Sequence, residues 1–272
     1  MNTDLVKWQE SNGIALRYAL SGNSASGRTL VLLHEMGGGL ESWDRVMPLL
    51  DGASYRILRF DMRGAGLSEK PRAPFSIDDL RDDLAALLAA LGINTPLILA
   101  GCAVGAAVAV RFAACFPERS AGLLAMSPST GIDESKRDAL LAQADAIEAE
   151  GVRERIAARF DHSYPASCFP DASEREQLKN RLFSVDPYSY AATYRMLCRM
   201  DLNKDFSRVQ CPTLILAGTR DTTRTPQMVK TVAAAIAGAA YREVDSGHVM
   251  PVHAPAAVAD ALAELQRMCE QA

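Results

Sequence analysis

Pro96-Leu97-Ile98-Leu99-Ala100-Gly101-Cys102-Ala103-Val104-Gly105 decides how this chain is read. A short apolar run bounded by glycines predicts a strand over residues 96–100 that is buried on both faces. Residues 106–116 then predict a helix. Between the two, Gly101-Cys102-Ala103-Val104-Gly105 fits a sharp strand-to-helix turn of the form Gly-x-Ser-x-Gly, which lifts its middle residue into a site. The glycines let the chain turn tightly and let the helix approach the strand. The middle residue here is Ala103, which has no atom to attack with. Taken alone, the segment fits a glycine-rich turn without chemistry equally well.

Outward from this turn, strand and helix signals alternate. Residues 13–20 predict an outer strand and residues 21–27 a turn. Thr29-Leu30-Val31-Leu32-Leu33 predicts a buried strand feeding His34-Glu35-Met36-Gly37-Gly38-Gly39. Residues 55–60 repeat the pattern and run into Asp61-Met62-Arg63-Gly64-Ala65-Gly66-Leu67-Ser68. Ser76 with Asp79 makes a capping box, and Leu80, Leu84, Leu87, Leu88 and Leu91 follow at helical spacing until Gly92. Residues 122–126 form the next strand signal. This alternation predicts right-handed βαβ units and a mostly parallel sheet. From about Pro128 to Ser207 the rhythm changes, with helices expected over residues 134–160, 173–185 and 187–200 and no clear strand. Strand signals resume over residues 211–218 and 240–244, and a last helix is expected over residues 255–268.

Composition narrows the function classes. The 272 residues are 49% apolar and 23% charged, the proportions of a globular protein with ample length for a buried core. A net charge of -4 without a Lys/Arg run gives no footprint for nucleic acid and no polybasic membrane patch. No apolar run approaches the ~20 residues of a membrane span. Met1-Asn2-Thr3-Asp4 opens no leader pattern. Six scattered cysteines, with no Cys-x-x-Cys and no Cys/His cluster, predict reduced thiols in a cytoplasm and no metal site. The turn does not match Gly-x-Gly-x-x-Gly, so a dinucleotide is not expected, nor is any other cofactor. The expected partner is a small-molecule substrate, and a homodimer is compatible with the sequence.

Three further pieces give the turn a chemical reading. Asp221 follows a late strand in Gly218-Thr219-Arg220-Asp221, and His248 follows the next in Gly247-His248. An acid and then a histidine after such a turn is the chain order of a Ser…Asp…His triad built on it. His248 would take a proton from a nucleophile or water, and Asp221 would fix its tautomer and stabilise the imidazolium. Alone, Asp221 fits a cap ahead of Thr225-Pro226 and His248 a surface loop. The third piece is the loop at His34, where the N–H groups of Met36 and Val104 would form an oxyanion hole. Such donors are backbone atoms and survive with alanine at position 103.

These residues resemble the α/β-hydrolase superfamily, and the resemblance covers nearly the whole chain. His34-Glu35-Met36-Gly37-Gly38 corresponds to its His-Gly-x-Gly loop, and residues 61–68 look like its Asp-x-Arg-Gly-x-Gly-x-Ser turn. Within the superfamily the chain is most similar to the 3-oxoadipate enol-lactonase branch. That likeness rests on Asp186-Pro187-Tyr188-Ser189-Tyr190-Ala191-Ala192, on residues 211–218 and on Asp245-Ser246-Gly247-His248. The resemblance implies an α/β-hydrolase fold, with a mostly parallel central sheet flanked by helices and a helical cap inserted late in the chain. Its division would be 1–127 and 208–272 for the core and 128–207 for the cap. The implied activity is hydrolysis of a small ester, lactone or amide-type substrate, here a carboxylated catabolic intermediate.

Two departures stand out. Glu35 replaces the usual glycine beside the oxyanion loop; it either points away and pairs on the surface or brings a carboxylate to the pocket, against anionic substrates. Ala103 replaces serine. It is either a disarming Ser-to-Ala change, or a natural residue in a site where His248 and Asp221 activate water without a covalent intermediate. Two further readings stay open: a ligand-binding or receptor protein on this scaffold, and a lyase using His248 as general base. Cys102 is expected to pack as a small apolar residue rather than attack. Candidate pocket residues in the cap are Phe160, Tyr164, Tyr190, Tyr194 and Met196, each of which also fits lid core. Arg159 and Arg195 could meet a substrate carboxylate or pair with nearby acids. His162 and His253 have no assigned partner.

Overall fold

The computed structural model describes residues 5–271; Met1 to Asp4, on which the leader expectation bears, lie outside the described residues. Its strands are β1 (Val6–Ser11), β2 (Ile14–Gly22), β3 (Thr29–Leu33), β4 (Arg56–Phe60), β5 (Leu97–Cys102), β6 (Ser120–Met126), β7 (Thr213–Gly218) and β8 (Ala240–Val244). They form one sheet in the order β1-β2-β4-β3-β5-β6-β7-β8. The pairs β1/β2 and β2/β4 are antiparallel, and every later pair is parallel.

The helices are α1 (Ile77–Ala90), α2 (Val104–Cys115), α3 (Glu134–Glu150), α4 (Arg153–Ser163), α5 (Ala172–Phe183), α6 (Pro187–Arg199), α7 (Asn203–Phe206), α8 (Pro226–Ala235), α9 (Met250–His253) and α10 (Pro255–Gln271). Parallel strands need crossovers, and α1, α2 and α8 supply them. The central strands are buried on both faces, so their residues sort by parity. Val31, Leu33, Leu97 and Leu99 pack with α1, α2 and α8, whereas Leu30, Leu32, Ile98 and Ala100 pack toward α10 and Trp43. Helix α2 is almost wholly buried: Ala106, Ala107, Ala109 and Ala113 pack in the core together with Val108, Val110 and Phe112.

Local signals act where the sequence places them. Ser76 accepts from the N–H of Asp79, and Asp79 accepts from the N–H of Ser76 at 2.7 Å. At the other end of α1, Gly92 takes φ +63°, and the N–H of Ile93 donates to Leu88 O. Those bonds close the helix in a Schellman turn.

One expectation is corrected here. The single helix over residues 134–160 is two helices, α3 and α4, because Gly151 takes φ +91° and ends the first. The N-terminal strand β1 carries no apolar periodicity, since Val6, Lys7, Trp8 and Glu10 are all exposed on this edge. Only its pairing with β2 defines it. The four helices α3 to α6 lie between β6 and β7, with α3 against α6 and α4 against α5.

Candidate active site

Between β5 and α2, Ala103 holds φ +52° and ψ −110°, a conformation that costs energy for any residue with a Cβ. Its N–H donates to Met126 O, and its carbonyl accepts from the N–H groups of Ala107 and Ser129. The flanking glycines are required by contact. A Cβ on Gly105 would lie 2.3 Å from Leu33 O, and one on Gly101 would lie 2.4 Å from the carbonyl of Gly105. The turn thus has the strained shape of a nucleophile elbow with a methyl group at its tip. Ala103 is buried.

Asp221 follows β7 and is buried. Its Oδ1 accepts from the N–H groups of Thr223 (2.8 Å) and Arg224 (2.9 Å), and its Oδ2 lies 2.8 Å from Nδ1 of His248. Burial raises the carboxyl pKa, but the hydrogen bond and charge of His248 and the N–H of Arg224 outweigh it and hold Asp221 below the usual carboxylate range. The Arg224 guanidinium does not bond Asp221; it donates to Gly131 O and to Thr130 Oγ1. Asp221 therefore meets His248 as an anion. Engagement of Nδ1 leaves Nε2 of His248 for chemistry, and the His248 side chain is 28% exposed.

The loop after β3 is fixed by its own histidine. His34 Nε2 accepts from the N–H of Met62 at 3.0 Å, so its Nδ1 carries the proton and donates to Glu35 O at 2.6 Å. Met36 and Val104 line one cavity with Glu35, Met62, Arg63 and Tyr190. Val104 opens α2, so its N–H belongs to the first turn, where no intrahelical acceptor exists. The 61–68 turn forms a wall of this cavity, held by Asp61, which accepts from the N–H groups of Leu40 and Leu67 at 2.7 Å each.

Glu35 is not a surface residue. It is 3% exposed; Oε1 accepts from Ser42 Oγ at 3.0 Å, and Oε2 is buried without a hydrogen-bond partner. The expectation that it points away and pairs on the surface is overturned, because the backbone of residues 34–39 folds the side chain inward against Gly38 and Ser42. Its charge reaches the elbow. The Cys102 thiol is pushed well above its ordinary value, first by burial and then by Glu35, so it is a neutral thiol. Cys102 Sγ donates to His248 O at 3.4 Å and ties the histidine loop to the elbow strand.

The cap candidates divide. Tyr190 lines the cavity, together with Ser189 and Thr193 of the same helix. Phe160 and Tyr164 pack on each other and into an apolar cluster with Val249 and Val252, just past His248. Tyr164 is driven upward in pKa by burial and by Glu35, and it remains a phenol. Tyr194 stacks edge-on with Tyr190 at 5.6 Å and packs toward α3, and Met196 is core. Arg195 is held by Asp145 and Glu148, and Arg159 is exposed and outside the cavity lining. Arg63, which does line it, is held by both oxygens of Asp83, at 2.5 and 2.6 Å. His162 is exposed, and burial lowers His253 to about 4.

Sequence reasoning missed Ser42, the partner of Glu35, and the cavity residues Met62, Arg63, Ser189 and Thr193. Ser189 and Thr193 are one helical turn apart around Tyr190, a spacing that marks one face of α6. Ser42 carries no signal without knowledge of how the loop folds back.

Comparisons with known proteins identify the family. The sequence model of the Alpha/beta hydrolase family matches residues 30–261. The chain is 25% identical to 3-oxoadipate enol-lactonase 2 of Acinetobacter baylyi over 245 residues, covering 90% of each chain. It is 25% identical to the (E)-2-((N-methylformamido)methylene)succinate hydrolase of the same organism, covering 81% of each. Its fold superposes on the crystal structure of the enol-lactonase from Burkholderia xenovorans with a TM-score of 0.86 at 23% identity, covering 96% of this chain and 100% of the other. The chain belongs to the alpha/beta hydrolase family and is an enol-lactonase-like hydrolase.

Proposed function

We propose that this protein hydrolyses a small lactone, ester or amide-type substrate by activating water directly, with no covalent intermediate. The observation that supports this most is the Asp221–His248 pair, complete at 2.8 Å beside an elbow whose tip is a methyl group. His248 Nε2 takes a proton from water as its oxygen adds to the substrate carbonyl. The N–H groups of Met36 and Val104 hold the oxyanion. Collapse breaks the bond to the leaving group, which receives the proton from His248. Asp221 keeps the imidazole in the right tautomer and stabilises the imidazolium between these transfers. The names of two relatives, an enol-lactonase and a hydrolase of an N-formyl enamine succinate, support a small substrate with an activated acyl group. Residues 128–207, read as a cap, would close over it. A substrate carboxylate has no support from Arg159 or Arg195, which stand outside the cavity.

Initial rates for the chain, Ala103→Ser and His248→Ala on p-nitrophenyl acetate and small enol-lactones test this. The expected result is turnover that disappears in His248→Ala and gains little from serine. A strong gain in Ala103→Ser with a pre-steady-state burst would instead identify a disarmed serine hydrolase. Silence in all three variants would favour the ligand-binding reading.

A further inference from the structure

Glu35 is the one cavity-lining ionisable group, among the described residues, with a buried oxygen that no protein donor serves. A carboxylate so far from water is costly unless each oxygen finds a hydrogen bond or a cation. Ser42 serves Oε1 and fixes the carboxylate plane. Arg63, the arginine of the cavity lining, is bound by Asp83 through Nε and Nη2. Asp221, paired with His248, also acts on the elbow residue Cys102. The elbow therefore stands between two carboxyl groups, and one oxygen of the cavity-lining Glu35 has no partner.

We propose that Glu35 is a substrate-contacting residue whose Oε2 accepts a hydrogen bond from the substrate, so that the site selects a donor-bearing acyl compound, best a cationic nitrogen, and rejects a carboxylate. This rests on the hydrolase reading above and departs from it on one point: the substrate is not an organic acid. An ionised Glu35 would read charge by attraction and by repulsion together. A carboxylate-bearing substrate placed against Glu35 would meet both a like charge and an acceptor that it cannot satisfy.

The experiment uses three amides of one chain length that differ only at the far end: 4-aminobutyramide, butyramide and succinamate. Their binding to the whole protein and to Glu35→Gln is measured by titration calorimetry, with thermal melts to show that the variant is folded. The unmutated chain is expected to bind 4-aminobutyramide at least about tenfold tighter than succinamate, and Glu35→Gln is expected to erase that ratio. Equal affinities, a preference for succinamate, no binding by any of the three, or a ratio that Glu35→Gln leaves intact would each overturn the proposal; the last would mean that only water serves Oε2. The comparison within the unmutated chain stands even if Glu35→Gln does not fold. Because binding is read without turnover, the expected order together with silence in the rate assays would fault the hydrolase reading and leave the specificity standing.

Discussion

Nδ1 of His248 lies 2.8 Å from Oδ2 of Asp221, although 27 residues of chain separate them and they stand after different strands. The contact is possible because β7 and β8 are parallel neighbours, so their C-terminal loops emerge side by side. Gly218 completes the approach: a Cβ there would lie 2.6 Å from Ser246 O and push the histidine loop away. Asp221 is pinned by two backbone N–H groups, so the acid is rigid and the histidine, partly exposed, is the member free to meet a substrate.

Asp221→Asn should reduce the turnover number by about 10²–10⁴-fold with little change in KM, because the amide can present its N–H to Nδ1 and hold the wrong tautomer. The same residue contributes to stability. Its folded pKa lies below the ordinary 3.8, so its contribution is fully present above the unfolded value and is lost as pH falls through the folded one. Denaturant titrations at neutral pH and in acid check this: the gap between the chain and Asp221→Asn should narrow in acid. A gap independent of pH would show that the carboxylate is not held as described.

Gly105→Ala should cost about 3 kcal/mol or more, since the new methyl meets the backbone oxygens of Leu33 and His34, which no rotamer change can move. A melting temperature lower by roughly 5–10 °C is expected. A variant that melts with the unmutated chain would mean that α2 does not press on β3 as closely as the structure shows.

His253 gives a second pH signature, at higher pH. Burial lowers it from 6.5 to about 4, so the unfolded chain takes up its proton first as pH falls. The stability tied to the neutral ring is complete above 6.5 and is lost toward pH 4, up to about 3 kcal/mol. His253→Phe should flatten the decline in unfolding free energy between pH 7 and pH 4.5. An unchanged slope would place the ring in contact with water.

The sequence by itself determined the strand-turn-helix at residue 97 onward, the capping box of α1, the order of acid and histidine, and the inert role of Cys102. Each rests on chemistry within a few residues: glycines where a Cβ would collide, alternation that buries a strand, a serine placed to meet an N–H three residues on. It also showed that position 103 has no nucleophile, because that is a statement about composition. The tertiary structure decided what depends on distant segments. β1 is a strand only because β2 pairs with it, whereas the break between α3 and α4 is local, set by Gly151 at φ +91°. Arg195 is consumed by acids on α3, about fifty residues away. Glu35 shows the difference most clearly. Its place beside the oxyanion loop is written in the sequence, but burial is a property of what folds over a side chain. Only the fold of residues 34–42 decided between the surface and the pocket, and it left a buried side chain with one oxygen unpartnered.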